Sequence, residues 1–98
     1  MTYIYFINVL GTDLFKVGYT NNLKRRLREI QTANPQPLTL NTFIEFQTRF
    51  EAKENERIIH SSLKKSNINN EWFEIDRCYF SDLEKEYDLR TSETLFPQ

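Results

Sequence analysis

At 98 residues, with 39% hydrophobic and 28% charged content, the chain is one small folded domain's worth of sequence. A single cysteine, Cys78, excludes an internal disulfide and a cysteine-based zinc site, and two glycines exclude a glycine-rich phosphate loop. The net charge of −1 conceals a division: residues 1–70 carry ten Lys/Arg against six Asp/Glu, and residues 71–98 carry three against eight. Any nucleic-acid surface is therefore expected in the first seventy residues. No apolar run approaches the ~18 residues of a membrane span, and the start lacks a basic and apolar leader, so the expected setting is intracellular, cytoplasmic or nuclear, away from membranes.

The aromatic and β-branched run Tyr3-Ile4-Tyr5-Phe6-Ile7-Asn8-Val9 predicts a strand. Turn chemistry over residues 10–13 and a second apolar run over 14–19 make it half of a hairpin. Asn21 or Asn22 caps a helix from Leu23 to about Thr32, which Asn34-Pro35-Gln36-Pro37 stops. Leu38, Leu40, Thr42, Ile44 and Phe46 alternate as a third strand with one buried face. Thr48-Arg49-Phe50-Glu51 is a capping box that opens a second long helix to about Lys65, and Asn67-Ile68-Asn69-Asn70 breaks it. Residues 71–75 read as a short extended segment. Ser81-Asp82-Leu83-Glu84 reads as a further capping box, starting an acidic helix to about Leu89, and residues 91–98 are expected to fray. This order of elements predicts a single α+β domain over residues 1–98, with a small, mostly antiparallel sheet and an acidic C-terminal helix and tail from about residue 80.

Charged residues on apolar stripes are the informative departures. In the first helix Leu23, Leu27 and Ile30 share the buried stripe, Arg25 and Arg28 point away, and Arg26 stands at the stripe's edge. Arg26 either snorkels over the core or aims its guanidinium into a cleft at a phosphate. In the second helix Ala52, Glu56, Ile59 and Leu63 recur on one face, which puts a carboxylate on the core side. Glu56 is either half of a structural pair, with His60 one turn on or with an arginine, or a ligand for Mg²⁺ or Mn²⁺. The hairpin carries Tyr3, Tyr5, Lys16 and Tyr19; aromatic residues on strands usually belong to the core, and an ammonium beside a phenol lowers its pKa.

These residues occupy positions that resemble the GIY-YIG nuclease superfamily. Tyr3-Ile4-Tyr5 resembles its first motif, with Tyr3 in place of glycine, and Lys16-Val17-Gly18 its second, with Lys16 in place of the first tyrosine. Arg26 stands ten residues beyond Lys16, where the superfamily has an arginine, and Glu56 matches its metal-binding glutamate. Ile30 stands where a histidine is usual, and the late asparagine corresponds to Asn67, Asn69 or Asn70, or is replaced by Glu71. Lys16-Val17-Gly18, Gln31-Thr32-Ala33-Asn34-Pro35, Glu56 with His60, and Glu71-Trp72-Phe73 resemble a branch common in phages and large viruses and known from meiotically up-regulated proteins.

The resemblance implies a compact three-stranded antiparallel sheet flanked by helices, with Tyr5, Lys16, Arg26 and Glu56 converging on one face. It implies a divalent-metal-dependent DNA endonuclease in which Glu56 holds Mg²⁺ or Mn²⁺ and Arg26 neutralises phosphoryl charge. Tyr5, its pKa lowered by Lys16 and the metal, would orient or deprotonate the attacking water, with Tyr19 and His60 assisting. Lys24, Arg25 and Arg28 would grip flanking DNA phosphates without reading sequence. The alternatives are a nucleic-acid-binding module of the same fold with catalysis lost, and a protein-interaction domain using the acidic C-terminal segment.

Overall fold

The apolar run at the start forms β1 (Thr2–Val9), and all of its residues except Tyr3 are buried. A strand so uniformly buried is covered on both faces, and here it is the centre of the sheet. The computed structural model describes residues 1–91. After β1 come β2 (Leu14–Thr20), α1 (Leu23–Thr32), β3 (Leu38–Phe46) and α2 (Arg49–Ser62). A single 3₁₀ turn (Lys64–Ser66) leads to β4 (Asn67–Asn69), β5 (Trp72–Glu74), α3 (Arg77–Leu83) and β6 (Arg90–Thr91).

The expected three-stranded sheet is wrong in extent. The sheet has six strands in the order β4-β5-β2-β1-β3-β6, and every neighbouring pair is antiparallel. The three additional strands are two or three residues long, too short to carry a periodic signal. They pair because the edges of β2 and β3 are already present to receive them.

Side chains of β1 alternate between two cores. Ile4 and Phe6 meet Val17, Ile44, Leu63 and the helices α2 and α3 through Ala52, Ile59 and Leu83. Tyr5 and Ile7 face the other way, onto Leu23 and Ile30 of α1 with Leu40 and Phe43. The single buried face expected of β3 is therefore divided. Its register against β1 slips at Phe6/Ile7, so that Thr42 pairs with Phe6 and Leu40 with Ile7, which leaves Asn41 as a bulge. The bulge sends Leu40 to the α1 side and Ile44 to the α2 side.

Caps explain the helix boundaries. The Asn22 side chain accepts from the Arg25 N–H at 3.0 Å and starts α1 where expected. Thr48 accepts from the Glu51 N–H at 3.1 Å and starts α2, which ends at Ser62, short of Lys65, as the chain tightens into the 3₁₀ turn. The last helix begins earlier than expected. Asp76 caps it by accepting from the Tyr79 N–H at 3.0 Å, and Ser81 lies inside it. Tyr79, Phe80 and Leu83 pack on the α2-side core, so the apolar face chose Asp76 over the Ser81 box. Thr91 pairs with Thr42 instead of fraying; the rest of the expected frayed tail, residues 92–98, lies outside the described residues.

Candidate active site

Tyr5 and Gly18 are partners across β1 and β2. A Cβ on Gly18 would collide with the Tyr5 hydroxyl and lie 2.7 Å from Cζ and 3.1 Å from Glu71 Oε2. The absent side chain is the space that the phenol occupies. Tyr5 is 1% exposed, yet its hydroxyl has a partner: Arg26 Nε donates to it at 3.2 Å from the edge of α1. The α1 stripe of Leu23, Leu27 and Ile30 docks on the sheet, and that docking sets Arg26 above the phenol.

The hydrogen bond with Tyr5 favours the charged guanidinium and raises the pKa of Arg26. Burial raises the Tyr5 phenol above its ordinary value, against the hydrogen bond and charge of Arg26, while the carboxylates of Glu71 and Glu56 push it the same way as burial. The expected lowering by Lys16 does not occur. Lys16 Nζ lies 3.6 Å from Glu71 Oε2 and 5.4 Å from the centre of the Trp72 ring, so its charge is answered by a carboxylate. At neutral pH Tyr5 is a neutral phenol that receives one hydrogen bond and keeps its own proton to give.

Glu56 lies on the α2 stripe between Ala52 and Ile59, half-buried. The two structural partners weighed for it are engaged elsewhere. Arg57 pairs with Glu54 at 3.2 Å, and His60 Nε2 lies 2.8 Å from the Val17 carbonyl. Because a carbonyl only accepts, that nitrogen carries the proton. The imidazole also meets the edge of the Phe73 ring, 4.9 Å between centres. Burial raises the pKa of Glu56; the nearby charge of His60 lowers it and that of Glu71 adds to the rise. Glu56 is thus a carboxylate held at the margin of a core without an ion-pair partner among the described residues.

Tyr5, Lys16, Arg26 and Glu56 are brought into one neighbourhood, and Glu71 is the group at its centre. His60 adjoins it beside Glu56, and the remaining predicted residues are not gathered there. Tyr19 pairs with Ile4, on the opposite face of the sheet from Tyr5, and its ring lies under the Arg49 guanidinium at 5.9 Å. Lys24, Arg25 and Arg28 are exposed along α1, with Arg25 donating to Asn21 at 3.3 Å. Sequence reasoning quoted Gly18, Glu71 and Trp72 within motifs of the resemblance but gave Gly18 and Trp72 no role, and Glu71 none beyond replacing an asparagine. A glycine inside a strand and a lone tryptophan beside a carboxylate were the available signals.

An open groove of about 290 Å³ adjoins the pair, between α1 and the β5 end of the hairpin, and Arg26, Lys16 and Trp72 line it. Among the described residues no three His, Cys, Asp or Glu side chains cluster closely enough to cage an ion. Glu56 and Glu71, whose carboxylates both act on the Tyr5 phenol, are oxygen donors of the kind that Mg²⁺ or Mn²⁺ takes.

Residues 2–88 match the T5orf172 domain. The chain belongs to the T5orf172 domain family. The family is GIY-YIG-like and associated with nuclease-like domains. No curated protein and no solved structure matches the chain. In this T5orf172 domain the match covers every residue of the Tyr5–Arg26–Glu56 neighbourhood. No described helix is long and apolar enough to cross a membrane.

Proposed function

We propose that this T5orf172 domain is a divalent-metal-dependent endonuclease that hydrolyses DNA phosphodiesters, of the branch whose second motif is Lys-Val-Gly. The observation that carries the reading is the half-buried hydrogen bond from Arg26 Nε to the Tyr5 phenol, 3.2 Å long, set beside two carboxylates and an open groove. A core has no need of such a group of charges.

The roles follow from the chemistry of each group. Arg26 keeps the Nη side of its fork toward the groove, 3.6 Å from the exposed Glu29, and trades that weak contact for a phosphate. It then answers the charge that develops on the phosphoryl oxygens. Tyr5, neutral and fixed by Arg26, orients the attacking water or a phosphate oxygen through its hydroxyl. The raised pKa argues against a ready-made phenolate base. Glu56 would hold Mg²⁺ or Mn²⁺, with Glu71 as a second carboxylate whose charge it feels, and the ion would supply Lewis-acid polarisation of the phosphate. Lys16 positions Glu71, and His60 ties α2 to the edge of β2 through Val17, which fixes where Glu56 stands. Tyr19 has no role in this scheme. Lys24, Arg25 and Arg28 grip flanking phosphates, without base contacts.

Supercoiled plasmid incubated with the protein in Mg²⁺, in Mn²⁺ and in chelator tests the reading. Nicking with either ion and none in chelator supports it. DNA binding without nicking under all three conditions leaves a binding module and removes the enzyme.

A further inference from the structure

Beyond the one phosphate that Arg26 would hold at its rim, the groove is not built for a further anion. Its two cations are each answered by a carboxylate, Arg26 by Glu29 and Lys16 by Glu71, both at 3.6 Å. What it offers a ligand is the Trp72 indole, the aliphatic side chains of Ile30 and Ala33, and a polar edge made by Asn34 and Glu29. The Lys16 ammonium over the ring at 5.4 Å steadies the indole. Such a lining suits a flat, neutral ring with hydrogen-bonding edges. At about 290 Å³ the space is at the small end for a ligand pocket and takes one such ring, not a run of strand.

We propose that this groove is a nucleobase subsite in which Trp72 stacks on one unstacked base adjoining the phosphate held by Arg26. The inference rests on the nuclease reading and names its substrate class: DNA with an unpaired nucleotide at the cleavage site. Bases inside a continuous duplex have both faces covered by their neighbours and cannot offer one to the indole. Asn34 and the Glu29 carboxylate are fit to meet the donor and acceptor edge of an amino-bearing base such as adenine.

Trp72 is the only tryptophan of the chain, so its fluorescence reports on this groove alone. The protein, kept in chelator, is titrated with three forms of one oligodeoxynucleotide: the single strand, a duplex with one bulged adenine, and the intact duplex. Anisotropy of labelled DNA records binding in parallel. The single strand and the bulged duplex should quench the emission, and the intact duplex should bind without quenching. Trp72→Leu should weaken binding of the bulged duplex roughly ten-fold, leave the intact duplex unchanged, and be largely rescued by Trp72→Phe. Binding of every form without quenching, or equal quenching by the intact duplex, overturns the subsite and leaves the nuclease reading standing. No anisotropy change with any DNA overturns both. The wild-type titration decides even where Trp72→Leu does not fold.

Discussion

Arg26 reaches the Tyr5 hydroxyl through Nε, which leaves the Nη side of the fork for the groove. Arg26→Ala should abolish nicking while costing only about 1 kcal/mol of stability, the ordinary worth of one hydrogen bond. Arg25→Ala, on the exposed side of α1, should leave the nicking rate within a few-fold of wild type. Equal loss in the two variants would show that the helix face has been misassigned. Gly18→Ala is a sharper perturbation, because its methyl meets the Tyr5 ring 2.7 Å from Cζ. It should lower stability by about 2–3 kcal/mol in chemical denaturation and remove activity. For Glu56 the sign of the pH effect is fixed by burial. Its native pKa is raised, so the contribution of its protonated form is present below the ordinary carboxylate range and is lost as pH rises through the raised value. In chelator, Glu56→Gln should match wild type near pH 4 and exceed it near pH 7. Mn²⁺ should then raise the melting temperature of wild type and leave that of Glu56→Gln unchanged. A variant less stable than wild type at pH 7 in chelator would mean that Glu56 has a structural partner.

Among the elements, those with local signals were legible. α1 has a cap at Asn22, a narrow apolar stripe and a proline stop, and its predicted and observed limits coincide. The N-terminus of α2 was legible for the same reason. Arg26 and Glu56 stood out because each is a charge on or beside an apolar stripe, a local conflict visible without any structure. Residues 71–75 were legible as an extended segment, which holds β5, whereas β4 and β6 were illegible as strands, since their pairing depends on the prior edges of β5 and β3. The Asn41 bulge was hidden as well: alternation alone cannot show where a strand changes faces. α3 presented two competing caps, and packing of Phe80 and Leu83 decided between them. Asp76→Ala should therefore cost about 1 kcal/mol, and Ser81→Ala less than about 0.5 kcal/mol. The reverse order, read from denaturant midpoints, would restore the Ser81 start. Glu71 and Trp72 sit in a short hairpin whose approach to Tyr5 is a product of the whole sheet, which no local pattern announces.

For the whole molecule, the division of charge along the chain meets the packing of the core. The acidic segment is not a detachable tail, because Phe80 lies edge-on to Phe6 with 5.3 Å between ring centres and Leu83 is buried. Removing everything after Arg77 would open the α2-side core. The electrostatic effect is better isolated by Glu84→Gln with Glu86→Gln, both exposed. That pair should tighten DNA binding at low salt, with the gain shrinking as salt rises, and leave the melting temperature near wild type. Unchanged affinity at low salt would place the acidic segment outside the field felt by DNA. The central claim is that Tyr5, Arg26 and Glu56 form one hydrolytic site. Its most direct test is the rate of plasmid nicking in Mn²⁺ by wild type and Arg26→Ala, two proteins that should melt within a few degrees of each other. Nicking by wild type, stopped by chelator and absent from Arg26→Ala, is the predicted result; nicking that survives in chelator or in the variant would contradict it.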